Sequence, residues 1–490
     1  MNQTIPSKAG SRGLALVVLC AMQLMIILDG TVVTVALPTI QNQLHFSQAG
    51  LAWVVNSYLI AFAGLLLLAG RLGDLIGTKR VFLAGMTLFT VASLLCGLAN
   101  SPALLIAGRF TQGIGGALAS AVILGMIVGL YPEPGEQAKA MGIYSFVSAG
   151  GASIGLIAGG VITQSFGWAW AFLINVPIGV VALVFASRLL KSDSGVGLGA
   201  GADVLGAVLV TSGLSLGVFT IVQSADPGTG TAQSLICGAG AVVLLAGFLI
   251  RQATAAKPML PLRIFRSRQI SGANIVVVLV FAAGFGFQFL NALYLQRVLG
   301  FSSLQTGLAF LPGPVVIGVV SLFVAAKLVA RFGTRRVLMT GLTAIAAGLL
   351  LLGRAPVGGN YFVDIMPVLV LMGLGMGLAI PAVIMLAMSG AEPTDAGLAS
   401  GLNNTAQQAG AAVGLAVLAT LAASRSENLL SHGASQVSAL RDGYSLAFFV
   451  SAAFVLAGLV VTALVLKPAP QAAAADAAEP VLDQPVMVVH

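Results

Sequence analysis

Two short segments decide the fold: GRLGDLIGTKR at Gly70–Arg80 and AKLVARFGTRR at Ala326–Arg336. Each segment is a basic turn between two long apolar stretches, and each ends in Gly-Thr followed by two basic residues. The second segment begins 256 residues after the first (326 minus 70), and the same shift carries the apolar stretch 14–37 onto the apolar stretch 270–293. A fixed offset of this kind indicates that the chain contains two copies of one structural unit.

The composition identifies the surroundings in which these units fold. Of the 490 residues, 58% are apolar and 8% are charged, whereas about 25% are charged in ordinary globular proteins. A mean hydropathy of +1.02 is too high for a water-soluble surface. Cys20, Cys96 and Cys237 lie singly in apolar stretches, which fits neither a disulfide framework nor a Cys-x-x-Cys metal site. The chain is a polytopic membrane protein, and soluble enzymes, nucleic-acid binders, secreted disulfide scaffolds and disordered chains are excluded.

Fourteen apolar stretches reach the length of about 20 residues that a membrane-spanning helix needs. They lie at 14–37, 51–70, 81–99, 103–130, 141–163, 169–190, 203–224, 233–251, 270–295, 306–330, 337–353, 363–388, 401–423 and 444–466. The first stretch is too long for the apolar core of a signal peptide and no small-residue cleavage site follows it. The fold is therefore predicted to be all-α with fourteen transmembrane helices.

The repeat divides these spans into two copies, spans 1–6 and spans 9–14, with spans 7–8 inserted between them. The predicted parts are an N-terminal six-helix bundle (1–190), the inserted helices with a cytoplasmic linker (191–268), a C-terminal six-helix bundle (269–467) and a disordered cytoplasmic tail (468–490). Two parallel six-helix repeats are typical of transporters whose halves rock around a central site. No GxxxxGK[ST] motif is present, so a gradient rather than a nucleotide is the predicted energy source.

The distribution of lysine and arginine predicts the orientation. With the N-terminus inside, the cytoplasmic segments hold eighteen of these residues and the outer segments hold four. This bias predicts a multi-pass protein of the cell (inner) membrane with both termini in the cytoplasm. The net charge of +8 is dispersed between apolar stretches and forms no basic run with interleaved aromatics, so no nucleic-acid partner is expected.

Five segments resemble the motifs of one family, in chain order and at matching spans. They are Leu28–Pro38 in the first helix, Gly70–Arg80 in loop 2–3, Ile106–Gly116 in the fourth helix, Gly151–Gly160 in the fifth and Trp168–Gly179 at the start of the sixth. On these segments the chain resembles the fourteen-span drug:proton antiporter branch of the major facilitator superfamily over nearly its whole length. The resemblance implies the major facilitator fold, multidrug efflux and antibiotic resistance. Leu156 departs from the helix-five motif, which usually has proline there.

Asp29 and Arg109 are the charged residues that lie well inside the predicted spans. At about 1.5 Å per helical residue, Asp29 lies roughly 22 Å from the cytoplasmic start of span one and Arg109 roughly 9 Å from the outer start of span four. Both depths fall in the outer half of the bilayer, where ionisable groups are costly and mark function. We predict that Asp29 couples transport to protons and that Arg109 shifts its protonation. The alternative is a fixed structural ion pair.

Six residues are predicted to contribute to a mostly apolar substrate pocket with a few polar anchors. They are Met22 and Met25 on helix one, and Phe281, Phe285, Gln288 and Asn291 on helix nine. The two methionines share the helix face of Asp29, and thioethers adapt to varied ligands. Phe285 is the repeat equivalent of Asp29, so the second half is predicted to supply an apolar, aromatic wall. Ordinary helix packing is the alternative for these residues.

Loop 2–3 is predicted to be a cytoplasmic gate. Its candidate residues are Arg71, Gly73, Asp74, Gly77 and Arg80. The glycines permit a tight turn, and Asp74 can cap a helix or hold a basic partner on a neighbouring helix in one transport state. The alternative is a topology signal, which explains the arginines but leaves Asp74 without a role.

Helix five carries Gly151, Gly155 and Gly159 at intervals of four residues, with Gly160 adjacent. Small residues on one face let two membrane helices approach closely, so these glycines are predicted to be packing residues. The three histidines lie outside the spans, and no metal site is predicted.

The leading hypothesis is a proton-coupled antiporter that exports lipophilic, cationic drugs or toxic compounds by alternating access. The alternative is a dedicated exporter of one endogenous product, such as an antibiotic, a siderophore or a lipid, on the same scaffold. Uptake of a polar nutrient fits less well because the spans offer few polar groups, and an enzyme would need a nucleophile–base pair or a metal cluster that the spans lack. The expected partners are the bilayer, protons and a small lipophilic molecule, with no nucleotide or other cofactor, and the chain is expected to be a monomer.

Overall fold

The protein is described from a computed structural model. The structure describes residues 9–48, 50–190, 193, 195–197, 201–224, 231–390 and 396–467. The predicted tail at 468–490, and Lys8 and Lys191 of the orientation count, lie outside these residues.

The described residues form α-helices, with short 3-10 and π-helical segments and no strand. The helices are α1 (Ala9–Leu44), α2 (Trp53–Ile76), α3 (Thr78–Gly97), α4 (Pro102–Leu130), α5 (Pro134–Phe166), α6 (Trp170–Leu173), α7 (Asn175–Leu189), α8 (Val204–Gln223), α9 (Thr231–Thr254), α10 (Arg268–Arg297), α11 (Ser303–Phe310), α12 (Pro312–Val319), α13 (Ala325–Phe332), α14 (Thr334–Leu352), α15 (Met366–Ser389), α16 (Ala396–Ser431) and α17 (Gln436–Leu464). The all-α fold that the apolar stretches predict is confirmed.

Thirteen helical segments within the described residues are long and apolar enough to cross a membrane. One of them combines α6 and α7, and another runs through α11, α12 and α13 with a π-helical turn at Val320–Val324. The span predicted at 141–163 falls inside α5, where several side chains lie outside the described part of the chain. The structure is that of a multi-pass membrane protein, and the total of fourteen spans stays a prediction.

The helices pack in two groups that repeat the same pairings. In the first group α1 packs on α5 and α7, and α4 packs on α2 and α3. In the second group α10 packs on α16 and α17, and α14 packs on α15. The 256-residue shift relates these pairs, and it also relates the turns at Gly77 and Gly333, whose φ angles are +98° and +83°. Glycine is needed at both turns because a side chain is strained at such angles.

The helices α8 and α9 form a hairpin that packs through α8 against α2 and α16. Asp203 fixes one end of the hairpin: its carboxylate accepts hydrogen bonds from the Gly206 backbone N–H at 3.0 Å, from Arg251 Nε at 3.0 Å and from Gln252 Nε2 at 2.6 Å. Buried carboxylates need such partners. Because α2 belongs to the first group and α16 to the second, the hairpin lies against both groups, close to the junction between them.

Successive membrane-spanning segments are joined by turns and loops, so the ends of these segments lie on two faces of the molecule. We call the face that carries Gly77 and Gly333 the basic face, because the described lysines and arginines are concentrated there. On the opposite face, Gln296 Nε2 of α10 donates a hydrogen bond to the Val35 carbonyl of α1 at 3.0 Å, and Arg297 donates one to Gln41. The two helix groups are therefore in contact on the opposite face.

Candidate functional site

An ion pair lies inside the first helix group. α1 positions Asp29 and α4 positions Arg109 so that Nη1 of the guanidinium donates a hydrogen bond to Oδ2 of the carboxylate. Both side chains are fully buried. Removing one partner from a buried pair leaves an uncompensated charge, which typically costs about 3–5 kcal/mol. The structure thus brings together the two charged residues that the sequence singles out, and their role in proton coupling stays a prediction.

Gln112 completes the network around this pair. Its Nε2 donates to Asp29 Oδ1 at 2.7 Å and to Ser93 Oγ at 2.9 Å, while its Oε1 accepts from Arg109 Nη1 at 2.7 Å. Arg109 Nε also donates to the Val54 carbonyl at 2.8 Å. Both carboxylate oxygens of Asp29 therefore accept a hydrogen bond, and helices α1, α2, α3 and α4 are tied together at one point.

Replacing Gln112 with methionine keeps the side-chain size and removes the hydrogen bonds that its amide makes with Asp29, Ser93 and Arg109. Asp29 Oδ1 and Ser93 lose a donor, and buried polar groups without a partner cost about 1–3 kcal/mol. We expect Gln112→Met to lower the free energy of unfolding by that amount and to shift the pH dependence of transport. Thermal unfolding and efflux measured across a pH series test both effects. Gln407→Met is the matched control. Equal stability and equal pH dependence of the two variants would show that the hydrogen bonds of Gln112 contribute to neither property.

Two aromatic rings lie against the guanidinium. The Arg109 Cζ atom is 4.6 Å from the centroid of the Tyr58 ring and 5.7 Å from that of Phe172. Both distances are within the range of a cation–π contact. The Tyr58 hydroxyl has no hydrogen-bond partner among the described residues, and the residue lines a cavity. The hydroxyl oxygen is buried beside Gly116 of α4, where a Cβ would lie 2.9 Å from it, so the hydroxyl is part of the packing of α2 on α4.

A cavity of about 240 Å³ adjoins the ion pair. We call it the ionic cavity, and its wall is formed by α1, α2, α4, α10 and α16. Its polar contributors include Tyr58, Arg109, Gln288 and Gln408, and Phe285 lies among its aromatic ones. The wall includes Arg109 itself, whereas Asp29 is covered by its partners. A molecule in this cavity meets the guanidinium before it meets the carboxylate.

A second cavity of about 260 Å³ lies mainly in the other helix group. We call it the apolar cavity, because α10, α12 and α15 line it with groups such as Phe287, Met372 and Met376. Thr31 and Gln288 line both cavities. The two spaces therefore lie on either side of these two polar side chains, at the junction of the helix groups.

Four residues are predicted to line the substrate pocket from the ninth span, which is α10 in the structure. Two of them lie at a cavity wall and two lie in the core. Phe285 and Gln288 line the ionic cavity. Phe281 packs against the hydrophobic core of the second group, and Asn291 is fully buried, with no partner for its amide among the described residues. Phe281 and Asn291 do not line either of the two cavities.

Met22 and Met25 lie away from both cavities. Each is fully buried in the hydrophobic core of the first helix group. They share a helix face with Asp29, as the spacing predicts. This face of α1 is directed into the first helix group, so the two methionines pack there as Asp29 does. The structure therefore gives these two residues a packing position, which is the alternative interpretation of the sequence.

Within loop 2–3, Asp74 pairs with a residue of its own helix. Its carboxylate lies 3.8 Å from Arg71 Nη1, and both side chains are substantially exposed. Arg80 donates a long hydrogen bond of 3.5 Å to the Ile76 carbonyl. Gly73 packs against α4, since a Cβ there would lie 2.7 Å from a methyl group of Val122. Among the residues that the structure describes, the partner of the Asp74 carboxylate is Arg71 of its own helix.

The residue that caps a helix at this loop is Asp193. Its carboxylate accepts hydrogen bonds from the Thr78 backbone N–H at 2.7 Å, the Thr78 hydroxyl at 3.0 Å and the Lys79 backbone N–H at 3.3 Å. Burial raises the pKa of Asp193, but these hydrogen bonds outweigh it and hold the pKa below its ordinary value. The segment after α7 also donates from Val196 N to the Asp74 carbonyl at 3.0 Å. This segment therefore closes both helix ends at the turn.

Removing the cap is expected to weaken this turn. Asp193→Ala leaves the first N–H groups of α3 without an acceptor, and loss of an N-cap typically costs about 1 kcal/mol. Because the folded-state pKa is lowered, the stabilisation is present at neutral pH and is lost as the pH falls from the ordinary value of about 3.9 through the lowered one. Thermal unfolding at neutral and acid pH measures it. Asp193→Asn, which retains a cap oxygen, should lose less stability than Asp193→Ala.

The glycines of α5 lie at two helix contacts. A Cβ on Gly151 would lie 2.8 Å from Leu24, and one on Gly159 would lie 2.8 Å from the Cα of Val32, both on α1. Gly155 lies between them and faces Thr31 of the same helix. A fourth, Gly160, faces α11 in the other helix group. The glycines therefore allow α5 to contact α1 closely and to reach across the junction.

Several functional candidates were not identified from the sequence. Gln112 lies one helical turn after Arg109, so its position on the same face was an available signal. Met372 and Met376 carried no such signal, because their span is apolar on every side, and Tyr58 directly follows two other polar residues from which nothing in the sequence distinguished it. Asp193 lies in a loop far along the chain from its partners.

These observations define the class of membrane protein. Two equivalent helix groups, with a buried ion pair and cavities at their junction, are the organisation of a transporter. Residues 19–415 match the sequence profile of the Major Facilitator Superfamily. This match covers most of the chain, and the protein belongs to the Major Facilitator Superfamily.

Two relatives are similar over almost their full lengths. The puromycin resistance protein pur8 of Streptomyces alboniger is 36% identical over 454 residues, which are 92% of this chain and 89% of that protein. The cephamycin export protein CmcT of Amycolatopsis lactamdurans is 37% identical over 458 residues, or 93% of each chain.

Solved structures share the fold. The crystal structure of a bacterial homologue of the human lysosomal transporter Spinster, in an inward-facing and unoccupied conformation, has a TM-score of 0.66 at 17% identity. The alignment covers 93% of this chain and 97% of that one. The Major Facilitator fold predicted from the repeated helices and motifs is confirmed.

Proposed function

We propose that this protein exports lipophilic, cationic compounds from the cell in exchange for protons. The observation that carries the proposal is the fully buried network of Asp29, Arg109 and Gln112 beside the ionic cavity. An ionisable pair at membrane depth is expensive and by default functional. No nucleotide or other cofactor enters the proposed cycle, and the proton gradient supplies its energy.

The contacts of Asp29 suggest how a proton is coupled to movement. Protonation removes the negative charge that compensates Arg109, and an unpaired buried guanidinium costs several kcal/mol. The site then lowers its free energy by exposing Arg109 to water or to a new partner, which requires helices α1 and α4 to move. Release of the proton restores the pair. The ion pair is therefore proposed to be a switch rather than a fixed structural link.

The two cavities support an amphiphilic substrate. Their combined size lies within the range of small-molecule sites, which are mostly apolar with a few polar anchors. In the ionic cavity, Phe285 and Phe289 offer aromatic side chains to a cationic group, on the α10 side of the cavity away from Arg109. In the apolar cavity, Met372 and Met376 offer adaptable thioethers. A cation with a lipophilic body is proposed to occupy both spaces.

The basic face is proposed to be cytoplasmic, with both termini on that side, because lysine and arginine accumulate on the cytoplasmic side of membrane proteins. The contacts of Gln296 and Arg297 then lie on the outer side. These contacts join the two helix groups there, and α2 also meets α16 nearer the basic face, where a Cβ on Gly401 would lie 2.8 Å from Leu67. The working unit is proposed to be a monomer, because each chain contains both helix groups and the cavities between them.

The second candidate is a dedicated exporter of one antibiotic or related product. It is favoured by the two relatives, whose names refer to puromycin and to cephamycin. Both candidates use the same site and the same energy source. They differ in the range of compounds carried.

Efflux of ethidium from cells that express the protein tests the proposal, with and without a protonophore. We expect efflux above the empty-vector level that collapses when the proton gradient is dissipated. Absence of ethidium efflux at good membrane expression would favour a dedicated substrate, and the next assay would compare puromycin and cephamycin resistance. Efflux that survives the protonophore would contradict proton coupling.

Phe285 and Phe281 provide a matched test of the cavity. Phe285 lines the ionic cavity and Phe281, one turn earlier on α10, packs in the core. Loss of an aromatic contact to a desolvated cation costs up to about 2 kcal/mol. We expect Phe285→Ala to raise the KM for ethidium about tenfold and Phe281→Ala to leave KM within twofold, with expression measured for both. Equal KM values would place the substrate elsewhere.

A further inference from the structure

The half of α1 nearest the basic face is flanked by two further cavities. The first is about 600 Å³ and lies between α1 and α5, with Leu16, Cys20 and Leu24 on one wall and Ile143 on the other. The second is about 490 Å³ and lies between α1 and α7. Both are separate from the ionic and apolar cavities, and their walls are almost wholly apolar.

Val17 and Ala21 line both of these cavities. They form a ridge on α1 with one groove on each side. Val17 is 62% exposed and its neighbour Leu14 is 50% exposed, so the ridge lies at the surface of the protein. Well-packed interiors leave few voids larger than a water molecule. These grooves are open to the surroundings of the protein rather than interior voids, and in a bilayer the groups that meet their apolar walls are acyl chains.

Charged side chains lie at the basic-face end of the grooves. Lys139 and Glu136 line the first groove, and Glu136 is paired with Arg12 at 3.7 Å. The Tyr131 hydroxyl donates a hydrogen bond to the Arg12 carbonyl at 3.1 Å, which fixes α1 to the end of α4. At the second groove, the exposed Arg188 lies in the last turn of α7. Together with Glu133, which is the N-cap residue of α5, these charges leave an excess of one positive charge around the rim.

We propose that these grooves bind one anionic phospholipid of the cytoplasmic leaflet. Its two acyl chains lie on either side of the Val17–Ala21 ridge, and its phosphate lies near Lys139 and Arg188. From Gly13 to Leu24 the first groove extends over eleven residues of helix, roughly 16 Å at about 1.5 Å per residue. Basic pockets between membrane helices on the cytoplasmic side recognise anionic headgroups. The inference uses the proposed orientation but does not depend on the transported substrate.

Native mass spectrometry of the purified full-length protein tests the inference, with phosphatidylglycerol and phosphatidylcholine of identical acyl chains as probes. We expect one tightly bound phosphatidylglycerol and weaker binding of phosphatidylcholine. Each basic residue near an anionic lipid surface contributes about a fivefold change in affinity. Lys139→Gln should therefore weaken phosphatidylglycerol about fivefold and leave phosphatidylcholine unchanged. Lys327→Gln, an exposed lysine on the same face in α13, is the control and should change neither.

The apolar part of the site has its own variant. Ala21→Phe fills the grooves beside the ridge and should weaken both lipids, whereas the surface change at Lys139 should affect only the anionic one. Equal affinity for the two lipids, or no effect of either variant, would overturn the proposal. Because lipid binding is measured directly, failure of ethidium transport does not affect this test.

Discussion

Asp29→Asn is expected to abolish proton-driven efflux and reduce it to the empty-vector level. Asparagine has nearly the same shape as aspartate but cannot be charged, so the site loses the group whose protonation is proposed to break the pair with Arg109. The measurement is initial ethidium efflux with an imposed proton gradient, normalised to the amount of protein in the membrane. Asp29→Glu keeps a carboxylate and should retain part of the activity.

The single variant has a second effect that must be separated from the first. It leaves Arg109 buried without a counter-charge, which typically costs about 3–5 kcal/mol. The double variant Asp29→Asn, Arg109→Gln removes both charges and should regain much of that stability. If the pair is a proton switch, the double variant stays inactive although it is folded. Recovery of gradient-driven efflux in the double variant would show that the pair has only a structural role.

Gly307→Leu is expected to lower transport more than tenfold by opening the contact between the helix groups on the opposite face. A side chain at Gly307 in α11 would overlap the carbonyl of Leu156 in α5. Gly160 provides the reciprocal contact, since a Cβ there would lie 2.8 Å from Leu304 Cα. Backbone atoms cannot move aside as side-chain ends can, so the helices must separate. The population shifts toward a conformation that is open on this face.

Labelling of a cysteine at this face measures the shift. Gln296→Cys replaces a residue that reaches across to α1, and a membrane-impermeant maleimide added from outside should react faster with it when Gly307→Leu is present. Gly318→Leu is the matched control on the same span, because a Cβ at Gly318 has no neighbour within 4 Å. Unchanged labelling with lost transport would show a folding defect, and normal transport would show that the contact is not part of the cycle.

The sequence by itself determined the fold class, the repeat and the two charged residues of the ion site. A bilayer requires long apolar helices whose backbone groups are satisfied internally, so the apolar stretches reveal the elements directly. The 256-residue shift predicted equivalent turns, and Gly77 and Gly333 have matching backbone angles. Depth along a helix is fixed by its rise per residue, which is why the similar depths of Asp29 and Arg109 were predictable.

The tertiary structure alone decided which side of each helix meets a cavity. A helix that is apolar all round does not reveal its rotation about its own axis, because lipid-facing and core-facing positions have the same residue types. Met22 and Met25 therefore turned out to be core residues, and Met372 and Met376 turned out to line a cavity. The same reason applies to loops: Asp193 reaches Thr78 across more than a hundred residues, and a cap formed over that distance depends on where packing brings the two segments together.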